Sequence, residues 1–574
     1  MNFTDFPYIR PDLAAQETTF QIALQKLKDA ANLDEARLAV ADIQGQQRHL
    51  ESMRMLASIR HSIDTKDAFY AEEAAFWDEH QPLVEGWYSQ YYQAILASPY
   101  HQDMPDLLPD TFFKMAQQHL RTYSDEIVPL LQEENQLVTA YERLIAAAEI
   151  PFQGQMYNLS GLGPHMQSTD RAERQESSQA FWGYYAKHRD ELADIYDRLV
   201  NVRHTMAQQL GYADFVEMGY DRMNRLDYDR QDVEVYRQEV LAHVVPLASK
   251  VYAAQAERLA VDQLAYYDLA LEFPEGNAVP EGTAEEIVAK ARQMYQEMSP
   301  ETAEFFDFML QHGLMDLETK PGKQGGGYCE YLPEFQSPFI FSNFNGTSAD
   351  VDVLTHEVGH AFQVYSSRHI TAPELIFPTS EAAEIHSMSM EFLAWPWMEN
   401  FFGEGVERYK YSHLASAITF IPYGVLVDHF QHEVYEHPQW TPEEREAAWR
   451  RLEKQYTPWR DYTESAFLDV GGYWYRQLHI FSDPFYYIDY TLAQMVALQF
   501  WQKSFVEESP ATWSQYLAIC QVGGTKSFLE LVTLADMQSP FEKGSLQEVI
   551  RVCADYLKTA HEGFMGQEGG EGNA

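Results

Sequence analysis

Cysteine is scarce in this sequence. Its 574 residues include only Cys329, Cys520 and Cys553, which lie far apart, and no C-x-x-C pair is present. Disulfide frameworks need more cysteines and an oxidising compartment, so the sequence predicts a reducing, cytoplasmic setting. Any metal site in the chain must therefore be built from histidines and carboxylates.

Long hydrophobic runs are also missing. The longest nearly uncharged stretch, 414–427, is shorter than the roughly 20 residues that span a bilayer, and it contains Pro422 and Gly424. We expect a buried helix there instead. The first residues, MNFTDFPYIRPDLAAQE, lack the basic and then apolar segments of a secretory signal. We therefore expect no membrane partner and no export.

Positive charge is in short supply. The chain has 41 Lys and Arg residues against 87 Asp and Glu residues, which gives a formal net charge of −46. Such a surface repels phosphate backbones, so nucleic acid is not an expected partner. The charge favours a highly soluble surface. The alternative is that it concentrates cationic peptides in a cleft.

Helical periodicity dominates what is present. Segments such as FQIALQKLKDAANL place apolar residues three and four positions apart, and similar patterns recur along the chain. A chain of 574 residues exceeds the size at which one core stops growing, so at least two lobes are expected. The sequence therefore predicts a mainly α protein with two or more lobes.

One segment departs from the helical pattern. Gly325, Gly326 and Gly327 precede YCEYLPEFQSPFIFSNFNGT, in which residues 339–344 favour a β-strand. We expect a glycine-rich loop, a short strand and a small sheet. A free edge on this strand would pair with an extended peptide, and a sheet that merely covers the core is an equal alternative.

The motif that carries chemistry is His-Glu-Val-Gly-His at 356–360. On a helix, His356 and His360 lie on one face about 5–6 Å apart at Cβ. They can bind one zinc ion, with Glu357 as general base beside the open metal position. With 20 His and 87 acidic residues, chance alone produces this motif about 0.1 times. The motif therefore needs support from its context.

The flanking residues predict that the motif is helical. Thr347 and Asp350 have the form of a capping box, and an apolar face follows them. This face consists of Val351, Leu354, Val358 and Phe362. Gly359 costs about 1 kcal/mol inside a helix, which indicates that another element packs closely against it.

A catalytic zinc ion needs a third protein ligand. The helical stretch SEAAEIHSMSMEFLAW at 380–395 supplies the next candidates, and the loop before it can bring its first turns opposite the histidines. Geometry alone leaves Glu384 and Glu381 as equal candidates. Glu391 is either a carboxylate that supports a metal ligand or a surface residue of an amphipathic helix.

These motifs resemble those of the oligoendopeptidase F-like branch of the thimet oligopeptidase (M3) family of zinc metallopeptidases. The resemblance is strongest in LTHEVGHAFQVYSS and AAEIHSMSMEFLAW. It extends in family order to MQSTDRAERQESSQAFWGYY, LGYADFVEMGYDRMNR, IPYGVLVDHFQHEVY and DPFYYIDY. It implies that Glu384, with Ser387 three residues later, is the third ligand of one zinc ion per chain.

The resemblance also implies an architecture. It predicts two helical lobes that enclose a deep substrate channel, with a small sheet beside the zinc helix. We expect an N-terminal lobe at 1–165, a catalytic lobe at 166–565 and a flexible tail at 566–574. A zinc site on the channel floor would limit substrates to short, unfolded oligopeptides.

Members of the family carry a histidine followed by paired tyrosines that stabilise the transition state. The resemblance implies His479, Tyr487 and Tyr490 for this role, with Tyr486 as a further candidate. Hydrogen-bond donors of this kind stabilise the oxyanion that develops during hydrolysis. For each tyrosine, core packing with a bonded hydroxyl is the alternative.

The expected function is hydrolysis of internal peptide bonds in oligopeptides by a zinc-activated water. A carboxypeptidase or dipeptidyl carboxypeptidase with the same zinc core is the nearest alternative, and it would need a cationic group for the terminal carboxylate. A peptide-binding scaffold without activity and a zinc hydrolase of another substrate are the remaining alternatives.

Overall fold

A computed structural model describes residues 1–320 and 322–571. Helices make up most of this part of the chain and the strands form two small sheets, so the predicted mainly α fold is confirmed. The helices before the second sheet are α1 (Leu13–Lys28), α2 (Leu33–Ile63), α3 (Ala68–Ala97), α4 (Asp110–Thr122), α5 (Val128–Ala146), α6 (Gly163–Met166), α7 (Arg171–Lys187), α8 (Arg189–Gln209), α9 (Phe215–Arg222), α10 (Arg230–Glu239), α11 (Val245–Arg258), α12 (Ala284–Met298) and α13 (Pro300–His312). The helices after it are α14 (Ala349–Ser367), α15 (Ser380–Leu393), α16 (Met398–Phe402), α17 (Val406–Glu436), α18 (Pro442–Tyr456), α19 (Ala466–Asp469), α20 (Leu478–Ser482), α21 (Tyr487–Trp501), α22 (Thr512–Val522), α23 (Phe528–Leu534) and α24 (Leu546–Glu571). The strands are β1 (Ile150–Phe152), β2 (Gln155–Tyr157), β3 (Met315–Glu318), β4 (Tyr328–Leu332) and β5 (Ser337–Phe344).

Helix α15 lies in the interior of the region predicted as the catalytic lobe. It packs against both α14 and α21, and every residue from Glu381 to Met390 is buried. A helix that is buried on all sides packs closely against its neighbours where its side chains are small. The alanines and serines of AAEIHSMS meet this need. The close packing predicted at Gly359 is confirmed, because α14 meets the backbone of α15 there.

The second sheet has the strand order β3-β5-β4. The predicted strand at 339–344 lies within β5, and the glycines at 325–327 form the loop before β4. However, β5 is the central strand, with β3 parallel on one side and β4 antiparallel on the other. Strand β5 therefore has no free edge, and of the two alternatives the one in which it pairs with an extended peptide is wrong. In the described ranges β3 and β4 each have a strand partner on one side only, and β4 is the one that begins beside Glu357.

Helix α14 begins without the predicted cap. Its first residue is Ala349, and the side chain of the N-cap residue, Ser348, makes no capping hydrogen bond in the described structure, so the capping box of Thr347 and Asp350 is wrong. The Asp350 carboxylate instead accepts hydrogen bonds from the backbone N–H groups of Asn345 and Gly346, at 2.8 Å each. It therefore stabilises the turn between β5 and α14.

The uncharged stretch at 414–427 lies in α17, which is largely buried and contains Pro422. Within the described ranges, no helix has the combination of length and apolarity that a bilayer crossing requires. Cys329, Cys520 and Cys553 are free thiols.

The two lobes and the channel between them stay predictions. Helices α1–α5 lie in the region predicted as the N-terminal lobe, and α7–α23 lie in the region predicted as the catalytic lobe. Helix α24 runs through Glu571 and so enters the predicted tail, whose flexibility stays a prediction. Residues 572–574 lie outside the described part of the chain.

Candidate active site

Helix α14 presents the two motif histidines on one face. The rings of His356 and His360 lie 5.0 Å apart between centroids and are inclined by 80°. The predicted apolar face of the helix is confirmed, since all of its residues are buried. They are Val351, Leu354, Val358 and Phe362. Burial of this face holds the helix in place and leaves the imidazoles facing α15.

Helix α15 brings a carboxylate to both histidines. Glu384 Oε2 lies 3.2 Å from His356 Nε2 and 3.4 Å from His360 Nε2. The Ser387 hydroxyl donates a hydrogen bond to the same oxygen at 2.9 Å. The structure therefore places the three predicted ligands together, and we call His356, His360 and Glu384 the three-donor cluster.

The three-donor cluster fits a zinc ion. Ligand atoms at 2.0–2.1 Å from a tetrahedral ion lie about 3.3 Å from one another, close to the two separations from Glu384 Oε2. Two imidazoles and one carboxylate are also a donor set of catalytic zinc sites. Burial raises the pKa of Glu384, but the two histidines lower it more, so its pKa lies well below the usual value. The carboxylate is thus available as an anionic ligand.

Glu381, the rival candidate for third ligand, belongs to another cluster. It is fully buried, and its Oε2 lies 3.5 Å from Arg225 Nη1. Arg225 also forms an ion pair with Asp489 at the start of α21. Glu381 therefore helps to join α15 to α21 and lies outside the three-donor cluster.

Glu357 lies next to the three-donor cluster and is 6% exposed. Burial raises the pKa of its carboxyl group, whereas His356 and His360 lower it, and the pKa stays above the usual value. Its Oε2 atom has no hydrogen-bond partner within the described ranges. A Cβ atom on Gly327 would lie 3.5 Å from its Oε1 atom. The beginning of β4 therefore passes beside this carboxylate.

Glu391 contacts the ring of His356 on the side away from Glu384. Its Oε1 atom lies 2.7 Å from His356 Nδ1. The structure therefore favours the first of its two predicted roles, a carboxylate that supports a metal ligand.

His479 lies beside the three-donor cluster in a group of aromatic rings. Its Nδ1 atom lies 3.0 Å from Gln477 Nε2, and its Nε2 atom lies 3.4 Å from the Tyr490 hydroxyl. Burial lowers the pKa of His479, and Asp483 and Glu384 oppose this effect without cancelling it. The buried surroundings therefore favour the neutral form of the ring.

The three tyrosines after His479 have different surroundings. The Tyr486 hydroxyl donates to Glu384 Oε1 at 2.8 Å, a contact that the paired-tyrosine pattern did not reveal. Burial and then the Glu384 carboxylate raise the pKa of Tyr490, and Glu357 adds to this effect. Tyr487 packs against the rings of Phe420 and Tyr423. Tyr486 and Tyr490 thus lie nearer to the three-donor cluster than Tyr487.

A strained residue holds the tyrosine segment in place. Phe485 has a φ of +70°, which is rare for a bulky residue, and its side chain is fully buried. Its N–H donates to Gln431 Oε1 at 3.2 Å, and its carbonyl oxygen accepts from Arg225 Nη2 at 2.8 Å. Such strain persists only where the surroundings enforce it. The position of Tyr486 is thereby determined.

The sequence matches a known enzyme family over most of its length. Residues 164–550 match the family described as Peptidase family M3, and residues 3–123 match the Peptidase M3 N-terminal domain. No curated protein gives a significant match.

Solved structures share the fold along nearly the whole chain. A protein named as oligoendopeptidase F, with a 3.1 Å X-ray structure, is 48% identical with a TM-score of 0.95, and the match covers 97% of this chain and 99% of that one. PZ peptidase A, solved with an inhibitor, is 46% identical with the same TM-score and the same coverage. A protein named as oligoendopeptidase F from Bacillus anthracis str. Ames is 47% identical with a TM-score of 0.90, over 97% of this chain and 98% of that one. The chain therefore belongs to peptidase family M3, in its oligoendopeptidase F-like branch.

Proposed function

We propose that the protein is a zinc-dependent endopeptidase that hydrolyses internal bonds of short, unfolded oligopeptides in the cytoplasm. The observation that carries the proposal is the three-donor cluster, with the buried Glu357 carboxylate beside it. One zinc ion per chain would be held by His356 Nε2, His360 Nε2 and Glu384 Oε2. When bound, zinc makes a coordinated water more acidic and polarises a carbonyl group.

Glu357 is the proposed general base. Its Oε2 atom has no partner within the described ranges and is free to accept a proton from the attacking water. Because burial raises the pKa of this carboxyl group, it holds that proton more firmly than an exposed glutamate would. It then passes the proton to the departing amine.

His479 and Tyr490 are the proposed donors to the oxyanion. The Tyr423 hydroxyl donates to Gln477 Oε1 at 2.8 Å, so the Gln477 amide presents its NH₂ group to His479 Nδ1. The neutral His479 ring then carries its hydrogen on Nε2, which lies next to the Tyr490 hydroxyl. Both groups can donate a hydrogen bond where negative charge develops.

Tyr487 and Tyr486 have other proposed roles. The sequence favours Tyr487 as a donor, but its ring packs behind His479, with centroids 5.0 Å apart. We assign it to positioning that imidazole. The hydrogen bond from Tyr486 to Glu384 Oε1 would orient the ligand carboxylate.

The proposed substrate class rests on two observations. Three structures with TM-scores of 0.90–0.95 include two named as oligoendopeptidase F. In addition, β4 pairs with β5 on one side only and starts next to Glu357. An extended peptide that adds to its other side would bring a backbone carbonyl to the base. This use of β4 replaces the one that the sequence suggested for β5.

A blocked peptide tests the proposal. A peptide with an acetylated N-terminus and an amidated C-terminus should be cut internally by the zinc-loaded protein, and removal of the metal by a chelator should abolish cleavage. Glu357→Gln should bind one zinc ion per chain and lose cleavage. Glu407→Gln removes an exposed carboxylate from the start of α17 and should cleave normally.

Three results would contradict the proposal. Cleavage restricted to peptides with a free C-terminal carboxylate would make the protein a carboxypeptidase. The absence of stoichiometric zinc would favour a peptide-binding scaffold. Near-normal turnover by Glu357→Gln would show that another group is the base.

A further inference from the structure

A row of hydrogen bonds extends from His356 into the protein interior. Glu391 Oε1 lies 2.7 Å from His356 Nδ1, and Glu391 Oε2 lies 2.7 Å from His413 Nε2. The row continues from His413 Nδ1 to the indole nitrogen of Trp395, at 3.0 Å. It therefore joins α14, α15, α17 and the turn that follows α15. Trp395 is the last residue of the segment AAEIHSMSMEFLAW, in which no role was predicted for it, and His413 lies outside the segments that carry the family resemblance.

The hydrogen bonds of the row converge on Glu391, and Trp395 determines which nitrogen of His413 donates to it. An indole N–H can donate but cannot accept, so His413 Nδ1 must be the acceptor and carry no hydrogen. His413 then holds its hydrogen on Nε2 and donates it to Glu391. An ionised carboxylate only accepts, so His356 donates from Nδ1 to the other Glu391 oxygen. The lone pair of His356 is thereby left on Nε2, which faces His360 and Glu384.

We propose that Trp395 and His413 are positioning residues of the metal site, which act through Glu391 to present His356 Nε2 as a zinc ligand. This inference rests on the proposed zinc-dependent function. Partners of this kind hold a metal-bound imidazole in one tautomer and one orientation.

The surroundings hold the row rigidly. Trp395 and His413 are 1% and 9% exposed. The ring of Phe392 meets His413 edge to face, with centroids 4.7 Å apart. The Tyr409 hydroxyl, one turn before His413, donates to Asp352 Oδ1 on α14 at 2.6 Å. Helices α14 and α17 are thus connected both by the row and by the hydrogen bond between Tyr409 and Asp352.

The second motif histidine has no equivalent support. His360 Nδ1 is buried and has no hydrogen-bond partner within the described ranges. The two histidines therefore differ, and changes in the row should act on zinc through His356 alone.

Charge and hydrogen bonding act in opposite directions on His413. Burial lowers the pKa of its ring, but the carboxylates of Glu391 and Asp352 raise it more. A second proton would have to occupy Nδ1, to which the Trp395 N–H already points. The indole therefore favours the neutral ring that the row requires.

Two variants interrupt the row at different points. Trp395→Phe keeps the aromatic bulk and removes the N–H, whereas His413→Leu removes both hydrogen bonds of the ring. His413→Gln retains one acceptor and one donor, so it can restore the hydrogen bonds to Trp395 and Glu391. Trp397→Phe is the matched control, because its N–H donates to Glu297 near the surface, at 2.8 Å, two residues from Trp395.

Zinc affinity, measured by competition with a chelating dye, is the main readout. We expect His413→Leu to weaken zinc binding about 10–100-fold, Trp395→Phe to weaken it by a smaller factor, and His413→Gln to recover part of the loss. Trp397→Phe should match the wild type. Thermal unfolding of the metal-free proteins provides the structural control, since a loss of zinc affinity without an equal loss of stability identifies positioning.

¹⁵N-histidine NMR of the metal-free protein gives an independent readout. The wild type should show His413 neutral, with its hydrogen on Nε2, and Trp395→Phe should relax this preference. A hydrogen on His413 Nδ1 in the wild type, or unchanged zinc affinity in both Trp395→Phe and His413→Leu, would overturn the inference while the zinc site stands. A wild type that binds no zinc would overturn the proposed function and this inference together.

Discussion

A Cβ atom on Gly359 would lie 2.6 Å from the carbonyl oxygen of His386. It would lie equally close to the Cα of Ser387. Both neighbours are backbone atoms in the middle of a buried helix, so they cannot move away unless the helix itself shifts. Helices α14 and α15 therefore approach each other this closely only because residue 359 has no side chain. This contact sets the distance between the motif histidines and Glu384.

Gly359→Ala should therefore destabilise the protein and weaken zinc binding together. In an open helix, alanine would be more favourable than glycine by about 1 kcal/mol. Here the added methyl group overpacks a buried contact, which costs about 1–3 kcal/mol. It also moves Glu384 away from His356 and His360. Urea denaturation and zinc competition measure the two effects.

Gly183→Ala supplies the control for this prediction. Gly183 is an exposed residue within α7, and a Cβ atom there would meet no atom of the described residues within 4 Å. The same substitution should stabilise the protein by up to about 1 kcal/mol and leave zinc affinity unchanged. If Gly359→Ala behaved like Gly183→Ala, the contact between α14 and α15 would not limit the site.

Helical periodicity accounts for what could be predicted of the site from the sequence. The spacing of His356 and His360 predicted a helix with both rings on one face, because helical geometry converts sequence spacing into distance. The unfavourable Gly359 predicted a close neighbour. Spacing did not distinguish Glu384 from Glu381, because what separates them is Arg225, more than 150 positions earlier in the chain.

The predictions that failed depend on contacts between distant segments. The Thr347 and Asp350 pair matches a capping pattern, but Asp350 instead accepts from the turn after β5. Strand β5 has no free edge because β3, from 315–318, pairs with it. The roles of the tyrosines around His479 stay predictions, and their positions depend on Phe485, whose backbone conformation no local pattern indicates.

Glu384→Gln and Glu381→Gln should separate metal binding from stability. Glu384→Gln removes an anionic ligand and should abolish tight zinc binding. Glu381→Gln breaks a buried ion pair with Arg225, which costs about 3–5 kcal/mol when one partner is lost. Asp489 still pairs with Arg225 and reduces that cost. We expect Glu381→Gln to keep stoichiometric zinc and to unfold at lower urea concentration.

The reverse result would reassign the third ligand. Loss of zinc in Glu381→Gln, with retention in Glu384→Gln, would mean that α15 turns in solution relative to the described structure. Metal content after dialysis and the urea midpoint of each variant distinguish the two cases.

Tyr490→Phe should slow catalysis more than Tyr487→Phe. Loss of one donor to an oxyanion typically lowers kcat about 100–1,000-fold, and Tyr490 is the tyrosine beside His479 Nε2. Tyr487 packs against Phe420 and Tyr423. Its hydroxyl should therefore contribute far less to kcat. Steady-state kinetics on one blocked peptide, with zinc content confirmed for each variant, measure the difference. A larger loss of kcat in Tyr487→Phe would restore the assignment that the sequence favoured.

His119→Gln should make the stability of the metal-free protein less sensitive to acid. The His119 ring is largely buried and lies next to the Ser89 hydroxyl, and burial lowers its pKa to about 4. The unfolded chain titrates near pH 6.5, so between these values it binds a proton that the folded chain does not bind, and stability falls as the pH falls. At pH 5 this loss amounts to about 2 kcal/mol. Urea denaturation at pH 7.5 and pH 5, with chelator present so that metal release does not contribute, should show the variant losing about 2 kcal/mol less than the wild type. Equal losses in the two proteins would mean that His119 binds its proton in the folded state as readily as in the unfolded state.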